Sequence, residues 1–164
     1  MYKIWLLFTS LFIALGYIVY FWNWEKKHQS FYSKKRPLIF GHRGSPSHIT
    51  ENTIASFKKA IDQGVDGLEF DIRLSKDKQI VIFHDSNLKR MSGVDNKTNN
   101  LTISQLKEIN LKQNEKIPLL DEILPLIGQI KVVNIEIKSD GIFHGHGIIT
   151  PLIRFLDKHK IDDK

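Results

Sequence analysis

The 164-residue chain has no cysteine, which excludes disulfides and thiolate chemistry and leaves the redox compartment open. Its formal net charge of +6 is local: Lys3, Lys26, Lys27, Lys34, Lys35 and Arg36, set against Glu25 alone, carry five of the six charges. A nucleic-acid binder carries its excess on the folded domain, so that partner class is excluded, and a basic cluster beside an apolar segment points instead to lipid headgroups.

From Ile4 to Trp22 the chain has no charge, and a helix of that length just crosses a hydrocarbon core of roughly 30 Å. Tyr17, Tyr20, Trp22 and Trp24 crowd its C-terminal end, as aromatic rings do in a headgroup layer. A cleaved signal peptide is the competing reading, with Ala14-Leu15-Gly16 as its small-residue site. The apolar run continues past that site and the basic cluster follows it, which favours a single-pass anchor with the C-terminal domain on the cytoplasmic side. The expected organisation is therefore a transmembrane helix over 1–24, a basic juxtamembrane linker over 25–37 and a catalytic domain over 38–164.

Beyond the linker, short β-type runs alternate with helical patterns. Leu38-Ile39-Phe40 reads as a first strand ending at Gly41. Ile54, Phe57 and Ile61 share one helical face, with Gly64 as the stop. Leu68 to Leu74 alternates strictly, Ile80 to Phe83 is a compact apolar run, and Val132 to Ile137 alternates again. Ser86 to Asn100, rich in Asn, Asp, Ser and Lys, reads as an excursion between elements. Thr102 with Gln105 forms a capping-box start, Asp121 opens a short apolar helix, and Thr150-Pro151 opens a last helix carrying Ile153, Phe155 and Leu156. Strands alternating with helices imply a parallel sheet.

A parallel sheet buries both faces and reads as continuous apolar sequence, yet two of these runs do not. Leu68, Phe70, Ile72 and Leu74 take one face of theirs, and Glu69, Asp71 and Arg73 the other; Asn134, Glu136 and Lys138 repeat the device. Carboxylates facing the middle of a sheet need a cation or a hydrogen-bond partner, and Glu69, Asp71 and Glu136 offer the oxygen ligands that Mg²⁺ or Ca²⁺ takes. An antiparallel sheet with one wet face explains the alternation equally well. The remaining strand ends favour the catalytic reading. The first strand runs into Gly41-His42-Arg43-Gly44 and the third into His84-Asp85, and catalytic groups of parallel barrels collect where strand becomes loop.

GHRG, ENT, the Glu-x-Asp of GLEFDIRLSKD, VIFHD and NIEIK, in this order, resemble the glycerophosphodiester phosphodiesterase family. The resemblance implies an α/β fold of the TIM-type (β/α)8 barrel class. It also implies hydrolysis of glycerophosphodiesters to an alcohol and glycerol 3-phosphate. By the same resemblance His42 and His84 are acid and base, Glu69, Asp71 and Glu136 hold one divalent cation, and Arg43 and Lys138 face the phosphate. Glu51 and Asn52 match the motif's acidic-amide pair, with Thr50 where a proline often stands, and Glu51 is expected to orient Arg43 or the metal ligands.

Other residues read plainly. His28, His48 and His159 read as solvated, and His144 and His146, though spaced like some metal pairs, read as a loop. Asp85 reads equally as a site residue or a turn cap, and Arg73 as the partner of a carboxylate. About 127 residues from Leu38 onward are half of the roughly 250 a full barrel uses. The expectation is thus a C-terminally truncated domain holding the first four or so β/α units, prone to self-association through its open edges. Two function classes follow: a membrane-tethered phosphodiesterase acting on glycerophosphodiesters or lysophospholipids, or an inactive remnant serving as a membrane-associated interaction module.

Overall fold

The structure is a computed structural model that describes residues 2–22, 36–139 and 146–161, His146 through its backbone only. Trp24, His28, His144 and the linker up to residue 35 lie outside the described residues. The chain divides into two units, Met1–Lys35 and Arg36–Lys164.

Helix α1 (Tyr2–Trp22) has 21 residues, and it is long and apolar enough to cross a membrane. Its two side-chain hydroxyls outside the tyrosines are satisfied within the helix. Thr9 Oγ1 donates to the Trp5 and Leu6 carbonyls at 3.0 Å, and Ser10 Oγ to that of Leu7 at 2.9 Å. That internal pairing is what a hydrocarbon environment demands. A membrane anchor and a signal sequence both fit this helix.

The second unit is built around strand β2 (Gly67–Leu74), buried along its length up to Arg73. Strands β1 (Phe40–His42) and β4 (Val132–Ile137) run parallel to it, and β3 (Ile80–Ile82) antiparallel. Glu69 is paired on both sides, with His42 and Asn134, and Ile72 likewise with Ile82 and Ile137. Strands β1 and β3 therefore share one edge of β2, end after end, and β4 takes the other. The expectation of a parallel sheet fails at β3, so three parallel strands form the wall. Ser75–Gln79 spans five residues, far short of the dozen or more that a parallel crossover needs. It closes as a tight turn, with Ser75 N–H on the Gln79 carbonyl at 2.9 Å and Lys78 at a φ of 62°.

Strand β1 lies two residues later than its apolar run, which puts His42 inside the strand. Gly41 is the reason. A Cβ there would sit 2.9 Å from Ala60 Cβ and 3.1 Å from Leu68 Cδ2, so glycine lets helix α2 (Ile54–Asp62) pack directly on the sheet. Arg43 and Gly44 then turn the chain away with φ of 57° and 89°. This leaves the upper edge of β2 to β3, where Phe83 N–H reaches the Asp71 carbonyl at 2.9 Å.

Two apolar cores result. Leu68, Phe70 and Ile72 of β2 meet Phe57 and Ala60 of α2, joined by Leu126 and Ile127 of α5 (Leu124–Ile127) and Ile148 and Leu152 of α6 (His146–His159). Val81, Phe83, Leu88, Met91, Leu106, Leu111 and Ile117 form a separate core between β3 and an excursion that runs over 84–119, wider than the expected Ser86–Asn100. Strand β3 is their common wall, since Ile80 and Ile82 face the first core and Val81 the second. The excursion also carries two short helices, α3 (Lys89–Ser92) and α4 (Ile103–Glu108), the latter started by the expected Thr102–Gln105 capping box.

Two further details differ from expectation. Helix α6 begins at His146, so Pro151 lies inside it and one intrahelical hydrogen bond is forgone. Arg36, counted with the linker's basic cluster, instead pairs with buried Asp66 through Nη1 and Nη2 at 2.7 and 3.0 Å. Its charge is matched to a buried carboxylate of the folded unit.

Candidate active site

The sheet register aligns the polar face row by row. His42, Glu69 and Asn134 lie abreast, and Asp71 and Glu136 lie abreast two residues further along. Parallel neighbours in register project to the same face, so three strands supply a single polar patch. Oxygen atoms of Glu69, Asp71 and Glu136 all come within 4.8 Å of one another.

Around the carboxylates stand hydrogen-bond donors. Arg43 gives its backbone N–H to Glu69 Oε2 at 3.0 Å, its Nη1 to Glu51 Oε1 at 3.0 Å, and sets its Nε 3.2 Å from Asp71 Oδ2. Asn52 Nδ2 donates to Asp71 Oδ2 at 2.8 Å. Lys138 Nζ lies 3.1 Å from Asp71 Oδ1 and also pairs with Glu136. His42, two-thirds exposed, has its Nε2 3.8 Å from Glu69 Oε2.

The loop from β1 to α2 makes this geometry from three successive residues. Glu51 binds Arg43. Asn52, fully buried with a φ of 56°, turns its amide onto Asp71, and Thr53 caps α2 by accepting the Ser56 N–H. Left-handed backbone at a non-glycine residue is uncommon, and Arg43 and Asn52 both adopt it here. Gly44 completes the turn, since any Cβ there would fall 2.4 Å from Ser56 Oγ.

His84 follows β3 and borders a cavity of about 700 Å³ that Lys138, Arg73 and Arg90 also line. Its Nδ1 meets Asp85 Oδ1 at 2.6 Å, while Arg73 Nε donates to its backbone carbonyl at 2.9 Å. Asp85 is thus more than a turn cap.

A sequence profile described as the glycerophosphoryl diester phosphodiesterase family matches residues 42–144. The chain belongs to that family. It is 36% identical to the glycerophosphodiester phosphodiesterase of Caldanaerobacter subterraneus subsp. tengcongensis over 137 residues, 79% of this chain and 56% of that protein. To human lysophospholipase D it is 35% identical over 132 residues, 70% of this chain and 39% of the relative. The crystal structure of an Oleispira antarctica phosphodiesterase in complex with the product sn-glycerol-3-phosphate matches with a TM-score of 0.68 at 32% identity, over 75% of this chain and 53% of that one. The fold is thus the family's TIM-type barrel, here as an open wall of three parallel strands. The chain spans about half the length of the first curated relatives it matches.

Within this family member the two buried carboxylates of β2 differ sharply. Burial pushes Glu69 up, and the neighbouring Asp71 and Glu136 charges add to that, against one backbone N–H from Arg43 and the pull of His42. Burial also acts on Asp71, but hydrogen bonds from Asn52 and Lys138 and the charges of Lys138 and Arg43 outweigh it and hold its carboxyl low. Lys138 is raised, burial being outweighed by Glu136 and Asp71. Three crowded carboxylates, one of them under-compensated, are a donor set suited to a hard divalent cation. Lys138 Nζ, resting on two of the three, would have to share them with it.

The structure therefore joins His42, Arg43, Glu51, Asn52, Glu69, Asp71, Glu136 and Lys138 in one continuous network of contacts, and His84 and Lys138 line the same cavity. Arg90 was not singled out in the sequence. Its partners Asp85 and Glu51 lie five and 39 residues away, and a lone exposed arginine carries no local signal.

Proposed function

We propose that the chain hydrolyses glycerophosphodiesters to an alcohol and glycerol 3-phosphate in a metal-dependent reaction. The observation that carries this reading is the shared register of β1, β2 and β4, which gathers three carboxylates, His42 and Lys138 on one face, where the turn after β1 adds Arg43. The names of the similar proteins, one of them holding glycerol 3-phosphate, support the same substrate class.

Glu69, Asp71 and Glu136 would hold Mg²⁺ or Ca²⁺, and the bound ion would neutralise charge on a phosphoryl oxygen. Arg43, kept in place by Glu51 and Asp71, donates to the non-bridging oxygens, and Lys138 offers a second positive charge to the crowded transition state. One histidine takes the proton of the nucleophile, a water or a glycerol hydroxyl, as the new P–O bond forms. The other donates a proton to the alkoxide as the old P–O bond breaks, each transfer typically worth about 10²- to 10⁴-fold. For His84 the working nitrogen is Nε2. Burial raises Asp85, but Arg90 and His84 outweigh it and keep Asp85 ionised, so His84 Nδ1 carries the proton that faces it.

Lysophospholipids are the second substrate reading, favoured by α1 and by the human relative's name. In this account residues 1–24 anchor the chain, 25–37 form a basic linker and 38–164 form the catalytic domain on the cytoplasmic side. Purified full chain should release glycerol 3-phosphate from glycerophosphocholine, and chelator or His42→Ala should abolish release. Absence of turnover on glycerophosphodiesters and lysophospholipids with every divalent metal would defeat the proposal and favour the interaction-module reading.

A further inference from the structure

Arg90 stands outside the strand-end set, on α3 of the excursion, and grips carboxylates from two different elements. Its Nε and Nη2 donate to Asp85 at 2.5 and 3.1 Å, and its Nη2 and Nη1 to Glu51 at 2.6 and 3.3 Å. Each carboxylate reaches on to a side chain of the proposed chemistry. Glu51 accepts from Arg43 at 3.0 Å, and Asp85 faces His84 Nδ1 at 2.6 Å. Arg43, Glu51, Arg90, Asp85 and His84 thus form one chain of contacts from the loop after β1 to the end of β3.

The excursion holds that loop at a second point. Gln113 Oε1 accepts from Thr50 N and Oγ1 at 2.6 and 2.9 Å, and its Nε2 donates to the His48 carbonyl at 3.1 Å. The region that carries its own core therefore clamps the segment bearing Arg43, Glu51 and Asn52. We propose that Arg90 is a positioning residue, fixing His84 and Arg43 relative to one another through Asp85 and Glu51. This rests on the roles given above to His84 and Arg43. Only a planar guanidinium presents enough fixed donors to serve two carboxylates at once. Removing it leaves two partly buried carboxylates, with side chains 16% and 20% exposed, competing for Arg43 and His84 in other geometries.

The test uses the full chain in detergent micelles, labelled with ¹⁵N-histidine, and needs no turnover. The wild type should show a far-downfield His84 Nδ1–H resonance, assigned by its loss in His84→Asn. Arg90→Gln should move it upfield, and Lys107→Gln, which removes an ion pair to Glu122, should leave it in place. Glu51→Gln should shift the His84 resonance in the wild-type background and leave it unmoved when Arg90 is already Gln, because the two act through one path. Should Arg90→Gln fail to fold, Arg90→Lys, which keeps the charge and loses the fork, should show the same upfield movement. In an active chain kcat should fall by about 10- to 100-fold with KM less affected. A wild type without the resonance, a resonance indifferent to Arg90→Gln or Arg90→Lys, or a Glu51→Gln effect equal in both backgrounds would overturn the proposal. Since the resonance reports geometry alone, an inactive wild type defeats the functional reading and leaves this test intact.

Discussion

Strands β2 and β4 carry the same alternation and meet different fates. Strand β2 has neighbours on both edges and is buried through Arg73, whereas β4 pairs only with β2 among the described residues and is exposed over much of its length. Asp71 and Glu136 are register partners, yet the Asp71 side chain is fully buried and that of Glu136 half exposed. Alternation decides which face bears the chemistry, and the number of flanking strands decides how costly each charge is. On β2 that cost divides again, since Asp71 has Asn52, Lys138 and Arg43 while Glu69 has one backbone N–H and the neighbouring His42.

The largest expected difference between the strands is in packing. Phe70→Ala empties a site at the centre of the first core, against Phe57 at a ring separation of 5.8 Å. It should cost about 3–5 kcal/mol in denaturant unfolding. Ile137→Ala on β4, at 39% exposure, should cost about 1 kcal/mol or less. Equal losses would show that β4 is as enclosed as β2.

Next comes the pH dependence of stability, where Glu69 and Asp71 should act with opposite sign. With its folded value below the ordinary 3.8, Asp71 contributes stability that is present above 3.8 and lost as pH falls through the folded value. With its folded value above the ordinary 4.5, Glu69 is destabilising once ionised, and the fold loses stability as pH rises from 4.5 through the raised value. Melting curves should show Glu69→Gln gaining on the wild type as pH rises through that upper window, and Asp71→Asn losing ground to it as pH rises toward 3.8. A divalent cation should diminish the Glu69→Gln advantage.

Smaller again is the helix start. Thr53→Ala removes the cap of α2 and should cost about 1 kcal/mol. It tests whether the three residues after Thr50 act as one unit, because a cap loss should loosen Asn52 and with it Asp71.

Much of this was legible because β-sheet side chains alternate. That Glu69, Asp71, Glu136 and Lys138 share one face follows from period two, and that His42 and His84 stand at strand ends follows from the apolar runs before them, while the roles expected of all six come from the family resemblance. The turn after β2 is legible too: five residues between Leu74 and Ile80 demand a hairpin, against the parallel sheet that the alternation of strands and helices predicts. The excursion's core was not legible. Leu88, Met91, Leu106, Leu111 and Ile117 follow neither period, being gathered from short helices and turns by long-range packing. Arg90 belongs to the same class, its meaning residing in partners that only the fold brings near.

The central claim is that buried β2 and exposed β4 build a single cation site. The most direct measurement is calorimetric titration of the full chain, its Glu69→Gln variant and its Glu136→Gln variant with Mg²⁺ and Ca²⁺. The account predicts one site, weakened by roughly tenfold or more, ~1.4 kcal/mol, in either variant. Undiminished binding in Glu136→Gln would contradict it, leaving β4 with a carboxylate that merely meets water.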